Sequence, residues 1–134
     1  MYDRSRLTRR GRTVSNPYGK GVKAKATKLH SLVVRGRGAC ERCGERDYAK
    51  LQAAHIVPRR YSVTRCDPEN AWCLCAGCHM RLTEWASEHM LLVAQTIGED
   101  RYDELRAAAE RGVKANDAYW QSWIDRLSPY VKES

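Results

Sequence analysis

The sequence contains no phenylalanine, so any aromatic core must be built from its four tryptophans and seven tyrosines. It has no apolar run near the length of about 18 residues that would mark a membrane-spanning helix. The amino terminus is rich in arginine and lacks the apolar segment of a secretory signal. Together these absences point to a chain in the cytoplasm, where the six cysteines suit metal binding better than a disulfide framework. Acidic residues are also scarce at one end. Residues 1–37 hold eleven Lys and Arg against Asp3 alone, whereas residues 84–134 hold six basic and ten acidic residues. The net charge of +8 is thus an amino-terminal property. Clustered in this way it favours a polyanionic partner, most simply a nucleic acid, over a merely solvated arm.

At 134 residues the chain is the size of one domain. Residues 1–24 are rich in Gly, Ser and Arg without periodicity and are expected to form a basic, flexible arm. Residues 25–134 are expected to form the domain itself, with a metal-centred core over 38–97 and a helical tail over 98–134. A short helix is predicted from about Lys25, with Leu29, Leu32 and Val33 on one face and Gly36 and Gly38 ending it. His30 in this helix has no neighbour spaced to share a metal with it and reads as a surface or packing residue.

The centre of the chain carries the strongest pattern. Cys40-Glu41-Arg42-Cys43-Gly44 is a Cys-x2-Cys pair with a glycine that lets backbone amides turn toward the sulfurs. A second pair, Cys75 and Cys78, follows after 31 intervening residues. Two such pairs suit tetrahedral Zn²⁺, each gripping one edge of the tetrahedron. The intervening stretch is longer than a simple zinc ribbon needs. It offers a strand over Leu51–Val57, a turn at Asp67-Pro68 and a strand over Asn70–Leu74, before a helix near Gly77. Strand, strand and helix, with the helix start tied by metal to an earlier knuckle, is a ββα-metal arrangement of the α+β class. Cys66 and Cys73 fall outside the pairs, and Cys73, alternating with Cys75 in the strand, reads as a small buried residue.

The tail is helical by pattern. A helix running from the second knuckle carries Trp85, Met90, Leu91, Val93 and Ala94 as far as Gly98. Along one continuous helix, His89 lies about 80° around the axis from His79 and nearly three turns on, which excludes a shared ion. A further helix is predicted over Asp103–Arg111. A last one is capped by Asp117 and carries Tyr119, Trp120, Trp123, Ile124 and Leu127 as core residues rather than a base-stacking surface.

His55, Asn70 and His79, set between and just after the two cysteine pairs, resemble the signature of the HNH endonucleases. The phrase Asn70-x4-Cys75-x2-Cys78-His79 fits position for position. The wording from His55 to Arg59 and from Thr64 to Asn70 is also similar to phage-encoded HNH proteins, including NinG-type recombination proteins. The resemblance implies a His-Me finger fold and a metal-dependent endonuclease hydrolysing DNA. In this reading Cys40, Cys43, Cys75 and Cys78 hold a structural zinc. His55 serves as general base, while His79, with Asn70 in some members, holds a catalytic Mg²⁺, Mn²⁺ or Ni²⁺. Asn70 otherwise holds the catalytic loop. Arg59, Arg60 and Arg65 are close enough in sequence to meet phosphate. Two alternatives stand beside this reading: a structure-selective recombination nuclease or accessory factor, and an inactive zinc-stabilised DNA-binding module. One departure is plain. Many HNH proteins carry an ion-binding residue immediately before the catalytic histidine, and here that position is Ala54. Thr83, where some relatives have a further histidine, is at best a weak ligand.

Overall fold

The computed structural model describes residues 21–131; most of the basic arm assigned to residues 1–24 lies outside them. Among the described residues the elements run α1 (Val22–Arg35), β1 (Leu51–His55), α2 (Ser62–Arg65), β2 (Ala71–Cys75), α3 (Ala76–Glu84), α4 (Ala86–Gln95), α5 (Glu99–Arg111) and α6 (Asp117–Leu127). The architecture is α+β, with β1 and β2 forming a two-stranded antiparallel sheet in which His55 pairs with Ala71 and Leu51 with Cys75. No helix described is long and apolar enough to cross a membrane.

The sheet is small but covered on both faces, which explains its composition. α1 packs on one face and α3 on the other. Strands buried on both faces lose the apolar–polar alternation and become continuous apolar runs. The sequence Ala71-Trp72-Cys73-Leu74 of β2 is such a run, and all four residues are buried. Cys73, expected as a small buried residue, is completely enclosed, and so is Cys66. Burial pushes the Cys66 thiol up to about 11, so it carries no thiolate at neutral pH.

A second cluster joins α1 to α6, with Trp120, Trp123, Ile124 and Leu127 closing on Ala26 and Leu29. The tryptophans are core residues, as their spacing predicts. Asn116, rather than Asp117, caps α6, its side-chain oxygen accepting the Tyr119 N–H at 2.9 Å. A third cluster sets Leu105 and Ala109 of α5 beneath Val57, in the segment leaving β1.

Several boundaries differ from those the sequence predicts. α1 begins at Val22 rather than about Lys25, and its fully buried face is Ala26, Leu29, His30 and Val34, with Leu32 and Val33 only half-buried. β1 stops at His55 because Ile56 and Val57 leave the ladder to bond with Asn70. β2 begins one residue later than expected, with Asn70 ending a 3₁₀ turn capped by Asp67. α5 starts at Glu99, directly after Gly98, instead of at Asp103. The largest difference is at Trp85. The helix expected to run on to Gly98 breaks there, Trp85 taking an extended conformation (φ −120°, ψ 98°) that ends α3 and starts α4. Glu88 in the first turn of α4 then reaches back to Arg81 (2.6 Å) and Arg42 (2.7 Å), holding the corner.

Candidate metal centre and active site

The four knuckle cysteines converge. Their sulfurs all lie within 4.8 Å of one another, the only such cluster of metal-ligating groups among the described residues. Cys40 and Cys43 come from the loop after α1, Cys75 closes β2, and Cys78 lies in the first turn of α3. All four are free thiols. A tetrahedral site with Zn–S bonds of about 2.3 Å requires sulfurs about 3.8 Å apart. Cys43 and Cys75 stand 3.7 Å apart, at that spacing, and the other sulfurs lie within 4.8 Å, close enough for all four to reach one ion.

The loop is held in place by residues that the sequence pattern did not single out. The Glu41 N–H donates to the Cys73 carbonyl at 2.8 Å, and the Glu41 carboxylate accepts the Cys73 N–H at 2.7 Å. The knuckle is thereby docked along the outer edge of β2. Arg37 locks the same carboxylate at 2.8 Å and also donates to the Ala71 and Pro68 carbonyls. Gly44 takes a positive φ of 87°, which lets its N–H return to the Cys40 carbonyl at 2.9 Å. Burial opposes ionisation of Cys40, yet the N–H groups of Cys43, Cys75 and Arg42 outweigh it and bring the thiol down to about 6. Burial raises Cys78 to about 12, opposed by the Arg42 guanidinium 3.4 Å from its sulfur.

On the other side of the helix start, His55 and His79 face a common cleft of about 50 Å³. His55, at the end of β1, places Nε2 2.9 Å from the Arg65 carbonyl oxygen. A carbonyl only accepts, so Nε2 carries the proton and Nδ1 keeps its lone pair. One face of the ring is covered by His30 of α1, stacked at 5.0 Å between centroids and tilted by 18°. His30 is fully buried and donates from Nε2 to the Asp67 carbonyl at 3.3 Å. It is a packing residue, as expected, but what it packs against is His55. Burial lowers the pKa of His55, and Arg59, Arg65 and His79 add to the effect, so the ring is neutral at pH 7.

His79, in the first turn of α3, sets Nδ1 2.7 Å from Gln52 Oε1. The oxygen accepts, which fixes the proton on Nδ1 and leaves Nε2 bare. This is the orientation that outer partners impose on metal-binding imidazoles. Partial burial also lowers the pKa of His79. Ala54 lines the same cleft, as does Thr83, whose hydroxyl is occupied by the His79 carbonyl at 2.9 Å.

Asn70 is placed differently. It is completely buried, and its amide is spent on backbone. Oδ1 accepts the Val57 N–H at 2.8 Å, and Nδ2 donates to the Val57 carbonyl at 3.0 Å and the Thr64 carbonyl at 3.2 Å. The bonds tie the segment after β1 to α2, whose last residue, Arg65, supplies the carbonyl on His55. Of the three arginines, Arg59 and Arg65 share a groove beside α1, whereas Arg60 turns away to stack on Tyr61 at 4.7 Å.

His89 also lines the cleft with His55 and His79. Its exclusion on sequence grounds assumed one continuous helix; the break at Trp85 removes that assumption. Its ring stands edge-on to Trp72, with centroids 5.0 Å apart. No glycine or proline marks the break, so the sequence held no local signal for it.

A two-stranded antiparallel sheet running into a helix, a four-cysteine cluster at the helix start and two oriented imidazoles beside it define a ββα module able to hold a metal ion. Residues 40–84 match the family model described as HNH endonuclease, which places this segment in that family. Compared with curated proteins and with solved structures, the chain gives no significant match.

Proposed function

We propose that the protein is a divalent-ion-dependent endonuclease that hydrolyses phosphodiester bonds of DNA, with a structural zinc in the four-cysteine site. Zinc follows from the donor set, since four thiolates on one ion leave no open position for chemistry. The catalytic ion, when bound, neutralises charge on the phosphate and favours departure of the 3′ oxygen. His79 would hold it through Nε2. Ala54 offers no donor and Asn70 has no unspent amide atom, so the chain supplies few ligands, as Mg²⁺ tolerates when phosphate and water complete its shell.

The observation that carries this reading is the pair of fixed tautomers. His55, which lines the cleft, keeps a bare Nδ1, the form needed to take a proton from water. The Arg65 carbonyl holds the proton on Nε2, and His30 stacks on one face of the ring and restricts its tilt. Asn70 acts through these residues by pinning the Val57 and Thr64 backbone, and is a positioning residue.

The test is a supercoiled-plasmid nicking assay with Mg²⁺, Mn²⁺ or Ni²⁺, comparing wild type with His55→Ala and His79→Ala. His55→Ala is expected to lower the rate by about 10²–10⁴-fold, the usual contribution of a general base, with metal content at the cysteines unchanged. His79→Ala is expected to raise the ion concentration needed for half-maximal rate. A wild type inactive with all three ions, or a His55→Ala protein of full activity, overturns the reading.

A further inference from the structure

The charged side chains of α1 are unevenly provided with partners. Lys23, Ala24, Thr27, Lys28, Ser31 and Arg35 line one wall of an open groove of about 640 Å³, and Arg59 and Arg65 line the other. Residues 23, 27, 31 and 35 recur every four positions, so they form a single stripe along the helix. At 1.5 Å per residue the stripe is about 18 Å long. The lining thus carries five cations and two hydroxyls, with no carboxylate.

None of the five cations forms an ion pair among the described residues, whereas Arg37, Arg42, Arg81 and Arg101 each meet a carboxylate. The groove cations are instead steadied by neutral groups. Arg35 Nε donates to Ser31 Oγ at 2.9 Å and its guanidinium lies 5.4 Å from the Tyr48 ring centroid. Lys23 sits 5.6 Å over the Trp120 ring, and Arg65 Nε donates to Thr27 Oγ1 at 3.3 Å. Such interactions restrict the side chains without neutralising them, leaving the charge free for a ligand. Burial and the neighbouring Arg59 disfavour the charged form of Arg65, a repulsion that an anion between them would relieve.

We propose that this groove seats the phosphate backbone of duplex DNA, α1 running beside one strand and delivering it to His55. Phosphates of one strand rise about 3.4 Å apiece along the axis, but the strand winds while the stripe is straight, so the stripe faces only a few of them. The groove and the cleft share parts: α1 also supplies His30 behind His55, and Arg65 supplies both a groove guanidinium and the carbonyl on His55. The proposal rests on the nuclease reading only for the polymer's identity, and the two can fail separately.

The experiment measures duplex DNA affinity across a series of NaCl concentrations for the full chain, wild type against Lys23→Ala/Lys28→Ala/Arg35→Ala. Every phosphate that a side chain no longer neutralises makes the slope of log K against log [salt] shallower by about 0.9, so the triple variant should be shallower by about 2.7. Its turnover at saturating DNA should stay near wild type while half-saturation rises. A control, Arg46→Ala/Arg111→Ala/Lys114→Ala, removes three charges outside the groove and should change the slope little. If the triple variant folds poorly, Lys28→Ala alone, at an exposed position, should still flatten the slope by about 0.9. An unchanged slope in a protein that binds and cuts DNA overturns the groove, as does an equal change in the control or an effect confined to single-stranded RNA. A groove-dependent slope in a protein that cuts nothing keeps the groove and overturns the nuclease.

Discussion

Asn70→Ala separates a residue that holds backbone from one that holds an ion. The substitution removes one accepted and two donated hydrogen bonds, all buried. The Thr64 carbonyl retains the Asp67 N–H at 3.2 Å. The Val57 N–H and carbonyl lose the Asn70 amide, and a buried backbone group left unpaired costs about 1–3 kcal/mol. Two of them give about 4 kcal/mol, a large part of the 5–15 kcal/mol typical of a domain. For a domain of about 100 residues this corresponds to a fall in Tm of roughly 20 °C, read by calorimetry on the metal-loaded protein. Mn²⁺ affinity, measured at a temperature where the variant is folded, should stay within about twofold of wild type. A variant that melts within ~2 °C of wild type but binds Mn²⁺ tenfold more weakly refutes the reasoning and makes Asn70 a ligand. Asn70→Asp sharpens the test. Its carboxylate could still accept the Val57 N–H but would face two carbonyls, so its folded pKa must rise above the unfolded value. Stability should therefore be better at low pH and decline as pH rises through that raised pKa.

Cys78→Ser should lose the metal and most of the folded structure together, read by metal analysis and circular dichroism, because a closed thiolate site contributes its binding free energy to folding. Burial, then His55, depresses the pKa of His30 from 6.5 to about 4. An unfolded chain thus takes up a proton at His30 that the folded protein refuses. Stability from this group is complete above pH 6.5 and falls by about 3 kcal/mol between there and pH 4, and His30→Phe should flatten that part of the pH–stability profile. Ala54→Asp places a carboxylate in the cleft of His79 and should lower the Mg²⁺ concentration for half-maximal nicking, with thiolate-bound metal unchanged. Without divalent ion the same variant should melt below wild type, since the new carboxylate is buried without a partner.

What could be read from the sequence was whatever depends on short spacing. The two cysteine pairs, the apolar run of β2 and the periodic Trp120, Trp123, Ile124 and Leu127 announce themselves within a few residues, because metal geometry and helical repeat act locally. What was hidden depends on pairs distant in the chain. His30 lies 25 residues from the ring it covers, so its burial had no sequence signature. Glu41 and Arg37 have no sequence signal of their role, because their partners at Cys73, Ala71 and Pro68 lie about thirty residues away. The corner at Trp85 is fixed by Arg42 and Arg81 meeting Glu88, an arrangement that propensity along one helix cannot express, and with it went the position of His89.

The docking of Glu41 on Cys73 also bears on how the protein fails. A two-stranded sheet has outer edges with unpaired amides and carbonyls, and an apolar edge strand is a template for pairing with another chain. β2 is such a strand, and the knuckle carrying Cys40 and Cys43 covers it at Cys73. A metal on the four cysteines would tie the knuckle to α3 as well as to this edge, so its removal is expected to loosen the cover. The metal-free chain should then self-associate, read by light scattering, and the cysteine site would guard against aggregation as well as support the fold.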